Sequence, residues 1–166
     1  MSCYCGNKNA FEQCCLPIIL GNKLASTPEQ LMRSRYSAYA ARYPQYIYDS
    51  YACEPQKNQS LDEITQWAEQ TLWLKLTIVA NDTAPLDSIK HSEHENLPKV
   101  HFKALYLDGK QFCLMEEISR FIKENGQWRY LDGDIIYHEA LPTPKRNAPC
   151  LCLSGKKFKH CCALKY

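Results

Sequence analysis

The chain has 166 residues, is 45% apolar and 23% charged, and carries a formal charge of +2. That length suits one folded core with short appendages, and the composition excludes a disordered chain. No run approaches the roughly 18 apolar residues needed to span a bilayer, and the first residues lack the basic-then-apolar layout of a signal peptide, so a cytoplasmic protein without a membrane span is expected.

The first element (1–25) holds a cysteine foursome, Cys3-x-Cys5-x8-Cys14-Cys15. In a reducing compartment, clustered cysteines bind metal more often than they pair as disulfides. Zn²⁺ takes four tetrahedral ligands and binds thiolate well, and the intervening residues let the chain turn back to bring Cys14 and Cys15 opposite Cys3 and Cys5. Phe11 is placed to cover such a site. A segment this small has no core of its own, so bound zinc, at about 10–16 kcal/mol, would supply its folding energy. Disulfide pairing and thiol–disulfide exchange are the competing uses; exchange usually employs C-x-x-C at a helix start, a layout this foursome lacks.

The middle (26–140) opens with helix signals. Thr27-Pro28-Glu29-Gln30 offers an N-cap, a proline at the first helical position and a capping-box glutamine. Met32, Tyr36, Tyr39 and Tyr43 then follow at helical spacing. Pro44 is expected to interrupt, with a second short helix over Tyr46–Ala52. Ser60-Leu61-Asp62-Glu63 is another capping box, followed by a stripe of Leu61, Ile64, Ala68 and Leu72 flanked by Trp67. The six tyrosines between Tyr36 and Tyr51 fit core and cavity lining better than a stacking surface for single-stranded nucleic acid.

Beyond Leu72 the apolar period drops toward two. Leu74–Ala80, Val100–Leu107, Gln111–Lys123 and Trp128–Ile136 read as strands, with Asp108-Gly109 and Asn125-Gly126 as hairpin turns. Asn81–Pro98 reads as an irregular polar loop, and its His91 and His94 as solvated. His101, beside Lys103, reads as a surface residue. Cys53 and Cys113 read as ordinary buried apolar residues. Helices first and an antiparallel meander afterwards make an α+β domain with helices packed on one face of the sheet.

After a linker at Pro142-Thr143-Pro144, the last element (145–166) repeats the foursome as Cys150-x-Cys152-x8-Cys161-Cys162, with Phe158 where the first copy has Phe11. Six bases and no acid lie between Lys145 and Tyr166, whereas the other 144 residues hold 14 bases and 18 acids. Lys145, Arg146, Lys156, Lys157, Lys159 and Lys165 therefore either form a contact surface or offset the net charge of a zinc–thiolate site.

Asn147-x-Pro149-Cys150-x-Cys152-x-Ser154-Gly155-Lys156-Lys157-Phe158-Lys159-x-Cys161-Cys162 resembles the SEC-C motif, a short zinc-binding element also found at the C-terminus of the motor ATPase of bacterial preprotein translocation. Leu31-Met32-Arg33-Ser34-Arg35-Tyr36, and the stretch from Glu117-x-Ser119-x-Phe121 to Trp128-x-Tyr130-x-Asp132-Gly133, extend the resemblance to the YchJ-like group. Those bacterial proteins carry a SEC-C element at each end of a domain resembling nuclear transport factor 2 (NTF2). The resemblance implies two Zn²⁺ sites, a curved sheet and helices around a conical pocket, and a protein partner met through SEC-C elements. Departures stand at Tyr4 and Leu151, where the motif usually has proline, at Leu153, where it has glycine, and at Asn7-Lys8-Asn9-Ala10, where it has Ser-Gly-Lys-Lys.

An NTF2-like pocket hosts small enzymes as well as binding proteins, so acid–base residues in the strands bear on which this is. One face of Gln111–Lys123 carries Cys113, Met115, Glu117, Ser119 and Phe121. Glu117 among apolar neighbours suits a general base, with Ser119 beside it and Arg33 or Arg35 in reach from the first helix. The competing reading is an ion pair that holds helix to sheet. No phosphate loop, nucleophile elbow or dinucleotide fingerprint is present. The sequence thus points first to a zinc-binding adaptor with a protein partner. A ligand-binding protein or enzyme taking a small molecule in the pocket, and nucleic-acid binding through the basic tail, are the alternatives.

Overall fold

The computed structural model describes residues 2–79, 96–152 and 154–164. In chain order come α1 (Leu16–Ile19), α2 (Pro28–Ala41), α3 (Pro44–Asp49), α4 (Cys53–Gln56) and α5 (Leu61–Gln70), then β1 (Thr71–Ile78), β2 (Lys99–Asp108), β3 (Gln111–Glu124) and β4 (Gln127–Leu141). Most of the expected polar loop, with His91 and His94, lies outside the described residues.

The helix signals act locally, with small displacements. Thr27 Oγ1 accepts from Gln30 N at 3.1 Å and Ser60 Oγ from Glu63 N at 3.3 Å, so both N-caps form. The Gln30 side chain reaches one residue further back than a capping box requires, accepting from Ser26 N (2.7 Å) and Ser26 Oγ (3.0 Å). The expected break stands, with α2 ending at Ala41 and Arg42 turning left-handed, but Pro44 itself opens α3, two residues ahead of the expected start at Tyr46. At the first helical position a proline lacks only an N–H that would have no helical partner anyway. Thr71 turns extended (φ −97°, ψ 127°) and ends α5, so Leu72 leaves the expected helical stripe and stands outward on β1 at 39% exposure.

The sheet runs β1-β2-β3-β4, antiparallel throughout. Asn125 and Gly126 both take positive φ (50° and 78°), as the tightest hairpin turns require. Two register shifts place Tyr130, Gly133, Ile135 and His138 opposite Phe121, Ser119, Glu117 and Met115. The inner-face residues of β4 thus advance by three, two and three instead of strictly by two. Such bulges bend a strand and raise its twist, which curls the sheet toward the helices.

Each face of the sheet carries its own core. Tyr36, Ile47, Ile64, Phe102 and Phe121 pack between helices and inner face. Leu105, Leu107 and Phe112 pack on the outer face. The cysteine elements are not appendages: Cys3, Cys5 and Cys15 belong to the inner core, and Cys150, Phe158 and Cys162 to the outer one. Full burial of an apolar side chain the size of Phe158 contributes about 1.5–3 kcal/mol, so the outer face and the C-terminal element stabilise each other.

Three further expectations are corrected. Cys53 is exposed, because it opens α4 with its N–H held by the Glu124 carboxylate (3.1 Å), which leaves its side chain outside. Cys113 is only half-buried. His101 is buried at 4% exposure, since Glu116 on the adjacent strand receives its Nε2 at 2.7 Å.

Candidate metal centres and the inner cavity

The two cysteine elements fold alike. Cys3 N donates to Asn9 O at 2.9 Å, and Cys150 N to Lys156 O at 2.9 Å. Isolated bridges pair Ser2 with Ala10 and Pro149 with Lys157. A turn of 3-10 helix follows in each, Phe11–Gln13 and Phe158–His160, and delivers the adjacent cysteine pair. In both knuckles the four Sγ atoms lie within 4.8 Å of one another. Recorded separations are 3.7 Å (Cys5–Cys14), 3.9 Å (Cys14–Cys15), 3.5 Å (Cys150–Cys152) and 3.4 Å (Cys152–Cys161). Four thiolates about 2.3 Å from one tetrahedral ion stand about 3.8 Å apart, whereas a disulfide closes to about 2.05 Å. All ten cysteines are free. The donor set and spacing therefore fit a four-coordinate, thiophilic metal ion at each end.

Polar groups support the sulfurs. Asn7 Nδ2 donates to Cys14 Sγ at 3.5 Å, and Ser154 Oγ lies 3.1 Å from Cys161 Sγ. Asn7 and Ser154 hold equivalent places, so the departure from serine in the first copy keeps a donor on the third cysteine. Such outer contacts orient metal ligands and tune their basicity. The Cys5 thiol is lowered to about 5, chiefly by its hydrogen bond with Cys15, which the same bond and then burial push upward. Burial also raises Cys14, so without a metal Cys5, and neither Cys14 nor Cys15, is drawn toward the thiolate that coordination requires.

The two aromatics are used differently, Phe158 against the sheet and Phe11 within its own knuckle. Phe158 is 7% exposed and meets Phe112 edge-on at 5.9 Å. Phe11 stays half-buried, edge-on to Tyr4 at 5.2 Å.

Between helices and inner face lies a cavity of about 230 Å³. Of the candidate residues, Glu117, Ser119 and Arg35 line it. Arg33 does not reach it: its Nε pairs with Glu29 (2.7 Å) and its Nη1 donates to Cys5 O (2.7 Å). Successive helical residues turn by about 100°, so two residues apart the two arginines leave α2 on nearly opposite sides. Glu117 Oε1 accepts from Ser119 Oγ (2.6 Å) and Tyr130 OH (3.0 Å). Burial, then the charge of Glu117, pushes the Tyr130 hydroxyl well above its ordinary range, which keeps it a donor. Arg35 donates Nη1 to Ile47 O (3.0 Å) and to Ser50 Oγ, between the rings of Tyr51 and Tyr130 at 4.4 and 4.5 Å. The expected helix-to-sheet ion pair does not form, since Arg35 and Glu117 do not come within 4.0 Å.

Sequence reasoning passed over three participants. Tyr130 touches both charged groups, Trp73 lines the cavity, and Gly133 leaves the space that the Glu117 carboxylate fills, because a Cβ there would overlap it. Tyr130 and Gly133 lie in the stretch that carried the family resemblance, which was the available signal.

Among the described residues, the outer face carries two groups of ion pairs. Glu116 receives His101 and also Lys103 (3.0 Å), while Arg120 pairs with Asp132 and Asp134. Burial opposes ionisation of Glu116, but Lys103 and His101 outweigh it and hold the carboxyl below its usual range.

Known proteins match this arrangement along its length. The family profile described as YchJ, middle NTF2-like domain, matches residues 27–133, and the SEC-C motif matches residues 146–164. A UPF0225 protein from Vibrio cholerae is 42% identical over 163 residues, covering 98% of this chain and 99% of its own. A second from Vibrio parahaemolyticus is 37% identical, covering 97% and 98%. The solution structure of a SEC-C motif containing protein from Rhodopseudomonas palustris superposes with a TM-score of 0.67 at 29% identity, over 82% of this chain and all of that one. A crystal structure of a SEC-C motif containing protein from Psychrobacter arcticus gives 0.64 at 28% identity, over 100% of this chain and 97% of that one. An NTF2-like domain between two cysteine knuckles, matched over nearly its whole length by the Vibrio relatives, places the chain in the UPF0225 (YchJ-like) family of SEC-C motif proteins.

Proposed function

We propose that the protein is a zinc-binding adaptor whose C-terminal knuckle meets an acidic surface of a protein partner. The observation that carries this reading is the outward display of Lys145, Arg146, Lys156 and Lys157 around a knuckle whose Cys150 and Cys162 are buried. No acid accompanies these bases from Lys145 onward. Zn²⁺ is the proposed metal at Cys3, Cys5, Cys14 and Cys15 and at Cys150, Cys152, Cys161 and Cys162. Thiolate sites of this kind need reduced cysteines, which favours the cytoplasm, and no described helix is long and apolar enough to cross a membrane. The proposed division is a knuckle at 1–25, a central domain at 26–140 and a knuckle at 145–166.

Charge reversal tests the adaptor reading better than cysteine replacement, because losing the C-terminal knuckle would also uncover Leu105, Leu107 and Phe112. Lys156→Glu with Lys157→Glu should abolish co-purification of a specific protein partner while leaving zinc content and melting temperature unchanged. Retained partner binding would overturn the assignment of this surface. A nucleic-acid partner would instead give binding that falls steeply with salt, since phosphate contacts release counterions.

A second reading rests on the cavity. Glu117 and Arg35 bring opposite charges into one aromatic-walled space, which favours a small-molecule ligand, bound or transformed, over a purely structural interior. Glu117→Gln should abolish binding or turnover without changing the melting temperature; a large stability loss alone would mark a structural carboxylate.

A further inference from the structure

The cavity's polar groups bear on what it would hold, a question that rests on the ligand-binding reading above. Glu117 is 8% and Arg35 5% exposed, and both line the same space without contacting each other. Oppositely charged groups buried so close normally close into an ion pair, which lessens the cost of desolvating each. Here each is held back by its own partners. Ser119 and Tyr130 both bind Oε1 of Glu117, while Ile47 O, Ser50 and the two tyrosine rings hold Arg35.

That leaves Glu117 Oε2 without a hydrogen-bond partner among the described residues. Among the described residues the sealed, unpartnered polar atoms are Trp73 Nε1 and His101 Nδ1; Oε2 is not one of them, and Glu117 lines the cavity. Glu117 and Arg35 thus line one volume, whose other walls include Tyr39, Trp67 and Trp73.

Electrostatics sorts the ligands. A cation is drawn to Glu117 and to the aromatic faces but repelled by Arg35; an anion meets the reverse. A neutral apolar molecule leaves both charges without new partners. A molecule with both signs satisfies both at once. A cavity of about 230 Å³ has room for a molecule of amino-acid size. Trp67 (36% exposed) and Ile135 (59% exposed) line the cavity and reach solvent, marking where a ligand enters.

We propose that the inner cavity binds a small zwitterion with an apolar or aromatic body, its ammonium group on Glu117 and its carboxylate on Arg35. The body lies against Trp67, Trp73 and Tyr39.

The test is a titration of the zinc-loaded full chain followed by the indole N–H resonances, with L-phenylalanine, L-leucine, 2-phenylethylamine and 3-phenylpropionate as probes. Trp128, whose Nε1 donates to Ser26 O at 3.1 Å away from the cavity, serves as the internal control. At least one amino acid should shift Trp67 and Trp73 saturably and leave Trp128 in place, with both singly charged analogues at least tenfold weaker. In Glu117→Gln, which keeps the shape and one acceptor, the amino acid's advantage over 3-phenylpropionate should vanish. An analogue binding as tightly as the amino acids overturns the zwitterion but leaves a ligand cavity standing. No saturable shift from any probe overturns both, as does binding that Glu117→Gln leaves unaltered at the cavity tryptophans.

Discussion

Arg33 reaches from α2 to the Cys5 carbonyl oxygen, 2.7 Å away, while Glu29 one turn earlier holds the same guanidinium in place. The contact ties the first knuckle to the helix that forms the inner core. A charged hydrogen bond contributes about 1.5–3 kcal/mol. Arg33→Ala should therefore speed zinc release from the N-terminal site alone. Chelator-triggered release followed with a metallochromic dye should show two phases, one accelerated and one unchanged; acceleration of both would contradict a local clasp.

Because Phe158 packs on Phe112, the outer core should depend on the zinc proposed for the C-terminal knuckle. Phe158→Ala should lower stability by about 3–5 kcal/mol in denaturant titration. Stripping zinc with chelator should likewise lower the melting temperature of the whole domain in one cooperative step. A domain that melts unchanged without metal would show the knuckles to be independent of it.

Gly133 bears on the cavity through its missing side chain. Gly133→Ala should displace the Glu117 carboxylate, breaking its bonds to Ser119 and Tyr130, and cost about 1–3 kcal/mol through overpacking. Pairing it with Glu117→Ala, which empties the contested space, should recover much of that loss in a double-mutant cycle. Additive losses would count against the steric coupling.

Glu116 provides a pH test. Its folded-state pKa lies below the ordinary carboxylate value, so its contribution is present above the unfolded pKa, about 4.3, and is lost as pH falls through the lower folded value. Melting temperature should fall less between pH 6 and pH 3 (both approximate limits) in Glu116→Gln than in the wild type. An identical acid limb in the two proteins would show that Lys103 and His101 do not stabilise the charge.

Thiol accessibility separates the cysteines. Cys53 is exposed and Cys113 half-buried, while the remaining eight sit in the two clusters. With zinc bound, a thiol reagent should label Cys53 first, then Cys113, and the clustered eight only after chelation and unfolding, as read by mass spectrometry. Early labelling of a knuckle cysteine would contradict four-cysteine coordination at that end.

The sequence by itself determined the knuckles, the caps and the order of elements. Those features rest on short-range geometry: a foursome closed by a turn, hydroxyls three residues ahead of the N–H they accept, and a glycine or asparagine where φ must be positive. Tertiary packing decided the rest. Arg33 and Arg35 are equivalent candidates by residue type, but helical rotation sends one to a cysteine carbonyl and the other to the cavity. The alternation read for Trp128–Ile136 fails because two bulges shift register, and that shift aligns Gly133 with Ser119 and Ile135 with Glu117. Nor does spacing reveal that one knuckle packs into the inner core and its twin on the outer face, since that choice lies in apolar surfaces contributed by distant strands. Local bonds are written in neighbouring residues, whereas a cavity and the charges facing it arise only where separate elements meet.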